Sequence, residues 1–182
     1  MPLPSRSAAR LATLALALAL TSGCSQKPPY VPEGYAKMMK LPDIDQAKAT
    51  YTAMVTAIRD RLTAEFGRTW EKGSEVNSYT CGIGYIGVGS DSLKLHLPMW
   101  KSSGSLAEAD WPRAQALVGQ LAAGYGFRPA PEANQPGNHT MGYTDPNGAM
   151  LHFGTGNFTV IEVTTGCHLT AEAHRRGGPT HD

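Results

Sequence analysis

Four histidines, His96, His139, His152 and His168, fall near strand-like stretches, and Met99, Met141 and Met150 lie close to three of them in sequence. Imidazole suits zinc or copper and thioethers suit monovalent copper, so capture of a metal is one chemistry this chain could support. No pair has HxxxH or zinc-finger spacing, so three ligands would have to be gathered by the fold alone. A second set, Asp91, His152 and Glu162, contains the acid and base types a hydrolase needs. No GxSxG elbow, HExxH or SxxK accompanies it. The run Gly82-Ile-Gly84-Tyr-Ile-Gly87 is a literal GxGxxG, a pattern that holds a pyrophosphate only where a strand passes into a helix. Here Leu93, Leu95 and Leu97 alternate with Lys94 and His96, which reads as a strand. A glycine-rich turn, a bulge or a close backbone contact is therefore expected at 82–89, and no cofactor.

The cysteines carry a different chemistry. Met1 to Arg10 contains Arg6 and Arg10 with no acid, and it runs into the uncharged Leu11–Leu20. That is the positive and then apolar layout of an export signal, and about ten apolar residues fall short of the roughly twenty a helix needs to span a bilayer. Leu20-Thr-Ser-Gly-Cys24 then resembles the lipobox of bacterial lipoproteins, with Thr21 where that pattern more often has Leu. The resemblance implies cleavage after residue 23, acylation of the Cys24 thiol, and a protein held at the cell membrane on its extracytoplasmic side. The alternative is an ordinary secretory signal with an incidental cysteine. With Cys24 lipidated, Cys81 and Cys167 remain, an even pair in a chain that has left the reducing cytosol, and a disulfide between them is expected. Two buried thiols, or one reactive thiol, are the competing readings; neither cysteine has a sequence neighbour that would lower its pKa.

Lys and Arg total 16 against 15 for Asp and Glu, with no basic run. A nucleic-acid surface needs clustered cations, so that partner is not expected. Membrane attachment must come from the lipid, since no basic amphipathic helix is present.

The elements that would position these groups follow from periodicity. Pro28, Pro29, Pro32 and Gly34 mark 24–41 as a tether, although Tyr30, Val31 and Tyr35 are apolar enough to pack on the domain instead. Asp43 and Gln46 form a capping-box pattern ahead of Ile44, Ala47, Tyr51, Met54, Val55, Ile58, Leu62 and Phe66, a helical stripe ended by Gly67. Lys48, Arg59, Asp60, Arg61 and Glu65 read as its solvated face. Strands are expected around 76–81 and 93–97, with Pro98 as a stop. Asp110-Trp111-Pro112 opens a second helix through Tyr125, and 127–137 reads as a surface loop. Strands at 140–144, 150–153 and 158–164 complete a meander, and 171–182 reads as a disordered tail. The domain plan is a signal peptide over 1–23, the tether over 24–41 and one domain over 42–170. The expected fold is α+β: a two-layer sandwich with one antiparallel sheet of about five strands, two helices on one face, and one disulfide.

A first helix running into Gly67-Arg-Thr-Trp70, then Cys81, a second helix closing on Tyr125-Gly126, and a hairpin ending Thr165-Gly-Cys167 together resemble the LppA-type lipoproteins of mycobacteria and related actinobacteria. The resemblance covers roughly 44–169. It implies a cell-envelope lipoprotein of uncharacterised role, with no catalytic residues to transfer. The expected activity is non-catalytic binding of an envelope protein, glycan or lipid through the open face of the sheet, with Tyr85, His96, Trp100, Tyr143, His152 and Phe158 as candidate contacts.

Overall fold

The computed structural model describes residues 32–82, 85 and 87–180. The expected signal sequence and the expected lipid-attachment residue Cys24 lie outside them. One compact unit spans Val31–Asp182.

Its long helix, α2, follows a short α1; they span Ile44–Phe66 and Glu33–Met38. The expected capping box at the start of α2 is present: Asp43 Oδ1 accepts from the backbone N–H of Asp45 and Gln46 at 3.0 and 2.9 Å, and Gln46 Oε1 accepts from Asp43 N. Gly67 ends the helix at φ +63°, a conformation open to a residue without Cβ. The apolar stripe is buried from Ile44 to Leu62, and Phe66 is half-buried. The second long helix, α3 (Trp111–Ala123), carries Pro112 in its first turn. Asp110 makes no capping hydrogen bond; its carboxylate faces Arg113 at 3.6 Å instead.

The strands are β1 (Glu71–Lys72), β2 (Asn77–Thr80), β3 (Ser92–His96), β4 (Trp100–Ser103), β5 (Arg128–Gln135), β6 (Asn138–Thr144), β7 (Met150–Thr155), β8 (Phe158–Thr164) and β9 (His168–Leu169). They form one antiparallel sheet in the order β1-β4-β8-β7-β6-β5, with β3 also pairing with β2, β8 and β9. Nine strands thus replace the expected five. Part of the difference is interruption: Pro98, which has no N–H, breaks one row into β3 and β4, and Gly73–Val76 breaks the neighbouring row into β1 and β2. The rest is the two-residue β9 beside β3 and an element the prolines concealed. Residues expected as a surface loop form β5, which pairs with β6 alone and shifts register between Pro131 and Asn134. An edge strand tolerates Pro because one side of its backbone needs no partner.

Alternation assigns the two faces. Leu95, Leu97, Met141, Tyr143, Leu151, Phe153, Ile161 and Val163 are buried with the stripes of α2 and α3. Cross-strand partners share a face, so His152 lies opposite Glu162, and His96 opposite Thr164, on the side turned from those helices. Thr155 and Thr159 are buried polar residues at the far end of the β7–β8 hairpin; their hydroxyls meet at 3.2 Å, and Thr155 also accepts from Leu106 N.

Two further helices correct the expected tether and tail. In α1, Tyr35 and Met38 are fully buried, and α4 (Ala171–Arg176) buries Ala173. They form a second, smaller core with Val88 and Leu169. Tyr35 Oη donates to Ala173 O at 2.6 Å and Gly178 O at 2.8 Å, which ties the two ends of the described chain together. Apolar side chains spaced too sparsely to show periodicity are enough here, because each finds a partner remote in sequence. The expected disulfide joins Cys81, just after β2, to Cys167, just before β9, with Cα atoms 6.0 Å apart.

Candidate functional site

A cleft of about 190 Å³ opens between α2 and the sheet. One wall is a helix stripe, Lys48, Thr52, Val55, Thr56 and Arg59, whose spacings of three and four bring these side chains to one side. Facing it are Val76, Leu97, Pro98 and Trp100. The interrupted ladder makes the opening. Among the described residues, only Gly73 N to Met99 O at 2.8 Å and Met99 N to Ser74 Oγ at 3.0 Å bridge the two broken rows there. Apolar side chains that a continuous pair of strands would carry in a packed row are thereby left beside a gap.

Arg59 dominates the chemistry. Its guanidinium lies 3.4 Å from the centroid of the Trp100 ring, a cation–π contact. The backbone oxygen of Arg59 accepts from Trp70 Nε1 at 3.2 Å, so this turn of α2 is held from both sides. Among the described residues the side chain has no ion-pair partner, and its buried Nε has no hydrogen-bond acceptor. Burial lowers its pKa from the usual guanidinium value. The other half-buried arginine near the sheet, Arg68, differs: it donates to the carbonyls of Ser103 and Gly104 at 2.6 and 2.7 Å and to Thr159 Oγ1 at 3.1 Å. Arg68 Nε is likewise buried without an acceptor, but the terminal nitrogens of Arg68 make it a structural clasp, whereas no side-chain N–H of Arg59 meets an acceptor among the described residues.

The six candidate contacts do not gather in one patch. Trp100 lines the cleft. Tyr143 is 2% exposed, donates to Gln115 O at 3.2 Å and belongs to the core. His96 is on the opposite face of the sheet with its ring 4.9 Å from Tyr79, and His152 shares that face. Phe158 is exposed beneath Lys101, and Tyr85 packs on the second core. Lys48 and Arg59, read from sequence as solvated, are the cleft's cations; a signal was present in the stripe 48/52/55/56/59 beside the core stripe, but its outer wall is supplied by residues remote in sequence.

The other chemistries find less support. Among the described residues no group of three or more His, Cys, Asp or Glu side chains is placed to share a metal ion. His139 is stacked on Trp111 at 5.0 Å and meets Glu108 at 2.9 Å, while His168 Nδ1 donates to Pro42 O at 2.8 Å. The fold does bring His152 and Glu162 opposite each other, but Asp91 is held by Arg176 on α4. The glycine-rich stretch leads into a 3₁₀ turn at Gly89–Asp91 and then directly into β3, so no helix follows to bind a pyrophosphate.

The sequence model of the LppA family, described as a lipoprotein confined to pathogenic Mycobacterium, matches residues 23–171. The fold is similar to the crystal structure of the lipoprotein LppA from Mycobacterium tuberculosis, at a TM-score of 0.64 and 16% identity over 77% of this chain and 86% of that one. It is also similar to a DUF4853 family protein from Actinomyces odontolyticus, at a TM-score of 0.55 and 12% identity over 71% of each chain. No curated protein matches the chain. The chain belongs to the LppA family of lipoproteins.

Proposed function

We propose that this LppA-family lipoprotein is a non-catalytic binding module, held on the outer side of the cell membrane by acylation of Cys24, and that it takes an apolar ligand into the cleft between α2 and the broken rows of the sheet. The observation that carries the reading is the cleft itself: half-buried Val76 and Trp100, over a floor of nearly buried Val55 and Leu97, leave apolar surface beside a gap, with one half-buried, unpaired guanidinium over it. Ligand sites are concave and mainly apolar, with a few polar groups that set orientation. Family membership and the sequence of residues 1–24 support the anchoring.

Native mass spectrometry of the full chain isolated from its own envelope tests both parts. The expected result is an acylated Cys24 as the amino terminus and a small apolar ligand that co-purifies. Thr52→Trp, at an exposed helix position that lines the cleft, should abolish the ligand and leave the acylation unchanged. An unmodified amino terminus at residue 1 would overturn the anchoring. Ligand retention by the filled variant would place binding elsewhere.

A further inference from the structure

We infer that the cleft's ligand is a single-chain amphiphile with a carboxylate head, seated with the head on Arg59 and the chain running along Val55, Val76 and Leu97; this rests on the cleft being the binding site. Charge is the first argument. Lys37, Arg61, Lys72, Lys101, Arg113 and Arg176 each meet a carboxylate. Lys48 and Arg59 form no such ion pair, which is equally true of Lys40, Arg68, Lys94, Arg128 and Arg175 among the described residues; what sets Arg59 apart is its place over a cleft that no acid lines, with its sequence neighbour Asp60 acting on it only at longer range. A half-buried guanidinium with spare donors and no acceptor leaves part of its desolvation uncompensated, and an incoming anion would compensate it.

Geometry is the second. With one face of the guanidinium on Trp100 and Nε buried, its two terminal N–H groups remain to grip a carboxylate end-on, in plane. Lys48 and Arg59 are eleven positions apart, about 16 Å along a helix, so one head group contacts Arg59 while Lys48, at the far end, is screened from it. Size is the third. At about 190 Å³ the cleft is smaller than the roughly 300–1,000 Å³ of sites that enclose a drug-sized ligand, so it accommodates one chain and excludes a second.

The test is photolabelling of the full chain in phosphatidylcholine vesicles, with peptides mapped by mass spectrometry. Three diazirine probes are compared: dodecanoate, dodecanol and a diacyl phosphatidate. Dodecanoate is expected to label the peptides containing Val55 and Leu97 about tenfold more than dodecanol, the scale of one charge-assisted hydrogen-bonded contact. Arg59→Gln should remove that preference, and Lys48→Gln, an exposed change that leaves the core intact, should keep it within experimental scatter, since about 16 Å is roughly two Debye lengths at physiological salt. Equal labelling by dodecanoate and dodecanol would overturn the carboxylate assignment while keeping the cleft as an apolar site. Preferential labelling by the phosphatidate would overturn the single-chain assignment. Absence of label from the cleft with every probe would overturn the binding reading itself.

Discussion

Gly166 and Asn147 meet backbone to backbone: a Cβ at Gly166 would fall onto the carbonyl oxygen of Asn147. The contact docks the residue before Cys167 against the Asp145–Ala149 turn, where Asp145 Oδ1 accepts from Asn147 N and Ala149 N, both at 2.8 Å. Tyr51 of α2 donates to the other carboxylate oxygen at 2.6 Å. Helix, turn and disulfide strand are therefore assembled around one close approach. Gly166→Ala must push backbone apart rather than rotate a side chain, and should cost about 1–3 kcal/mol or more. A urea midpoint equal to that of the parent would show that the turn yields freely.

Trp100 supports Arg59 as well as lining the cleft. A double-mutant cycle of Arg59→Gln and Trp100→Leu should return a coupling of about 1 kcal/mol, within the range for partly desolvated cation–π pairs. Strict additivity in chemical denaturation would mean that the ring and the guanidinium are neighbours without interaction.

The disulfide closes a loop of 86 residues. On the loop-entropy account its removal by paired Cys81→Ser and Cys167→Ser changes costs up to about 4.5 kcal/mol, less whatever order the unfolded chain retains. Reductant should lower the parent's stability by a similar amount and leave the doubly substituted protein unaffected. The second core should loosen first, because Cys167 packs against it, and hydrogen exchange in α1 and α4 reports that directly.

Alkaline pH provides a further check. Burial pushes the Tyr143 hydroxyl up to about 12 from an ordinary value of 10, and Tyr51 is raised by burial and by its bond to Asp145. A raised folded-state pKa contributes stability that is complete below the unfolded value and lost as pH climbs through the folded one. Stability should therefore fall between pH 10 and about 12, and Tyr143→Phe should flatten that decline without abolishing it, since Tyr51 still titrates. An unchanged slope in urea titrations across this range would show Tyr143 to be in contact with water in the folded protein.

Much of this architecture is written locally. The capping box at Asp43, the stop at Gly67 and the stripes of α2 and the β8 strand are legible because a period of 3.6 or 2 needs only neighbouring residues to declare itself. The elements missed are those whose stabilising partners are distant. Prolines hide β5 until β6 is beside it, and α1 and α4 have too few residues to show a pattern but are closed by Tyr35 reaching Ala173, 138 positions away.

By itself the sequence determined the two long helices and the alternating faces of the meander, since each is a property of neighbouring residues, and its even cysteine count pointed to the pair that the fold joins. Only the tertiary structure decided that Trp100 leaves the candidate patch for a cleft, that Tyr143 is core, and that Arg59 is an unpaired cation and not one more charge on a wetted helix. The physical reason is that desolvation depends on what packs against a side chain, and for Arg59 that cover comes from a strand 41 residues further along the chain, next to a ladder broken at Pro98.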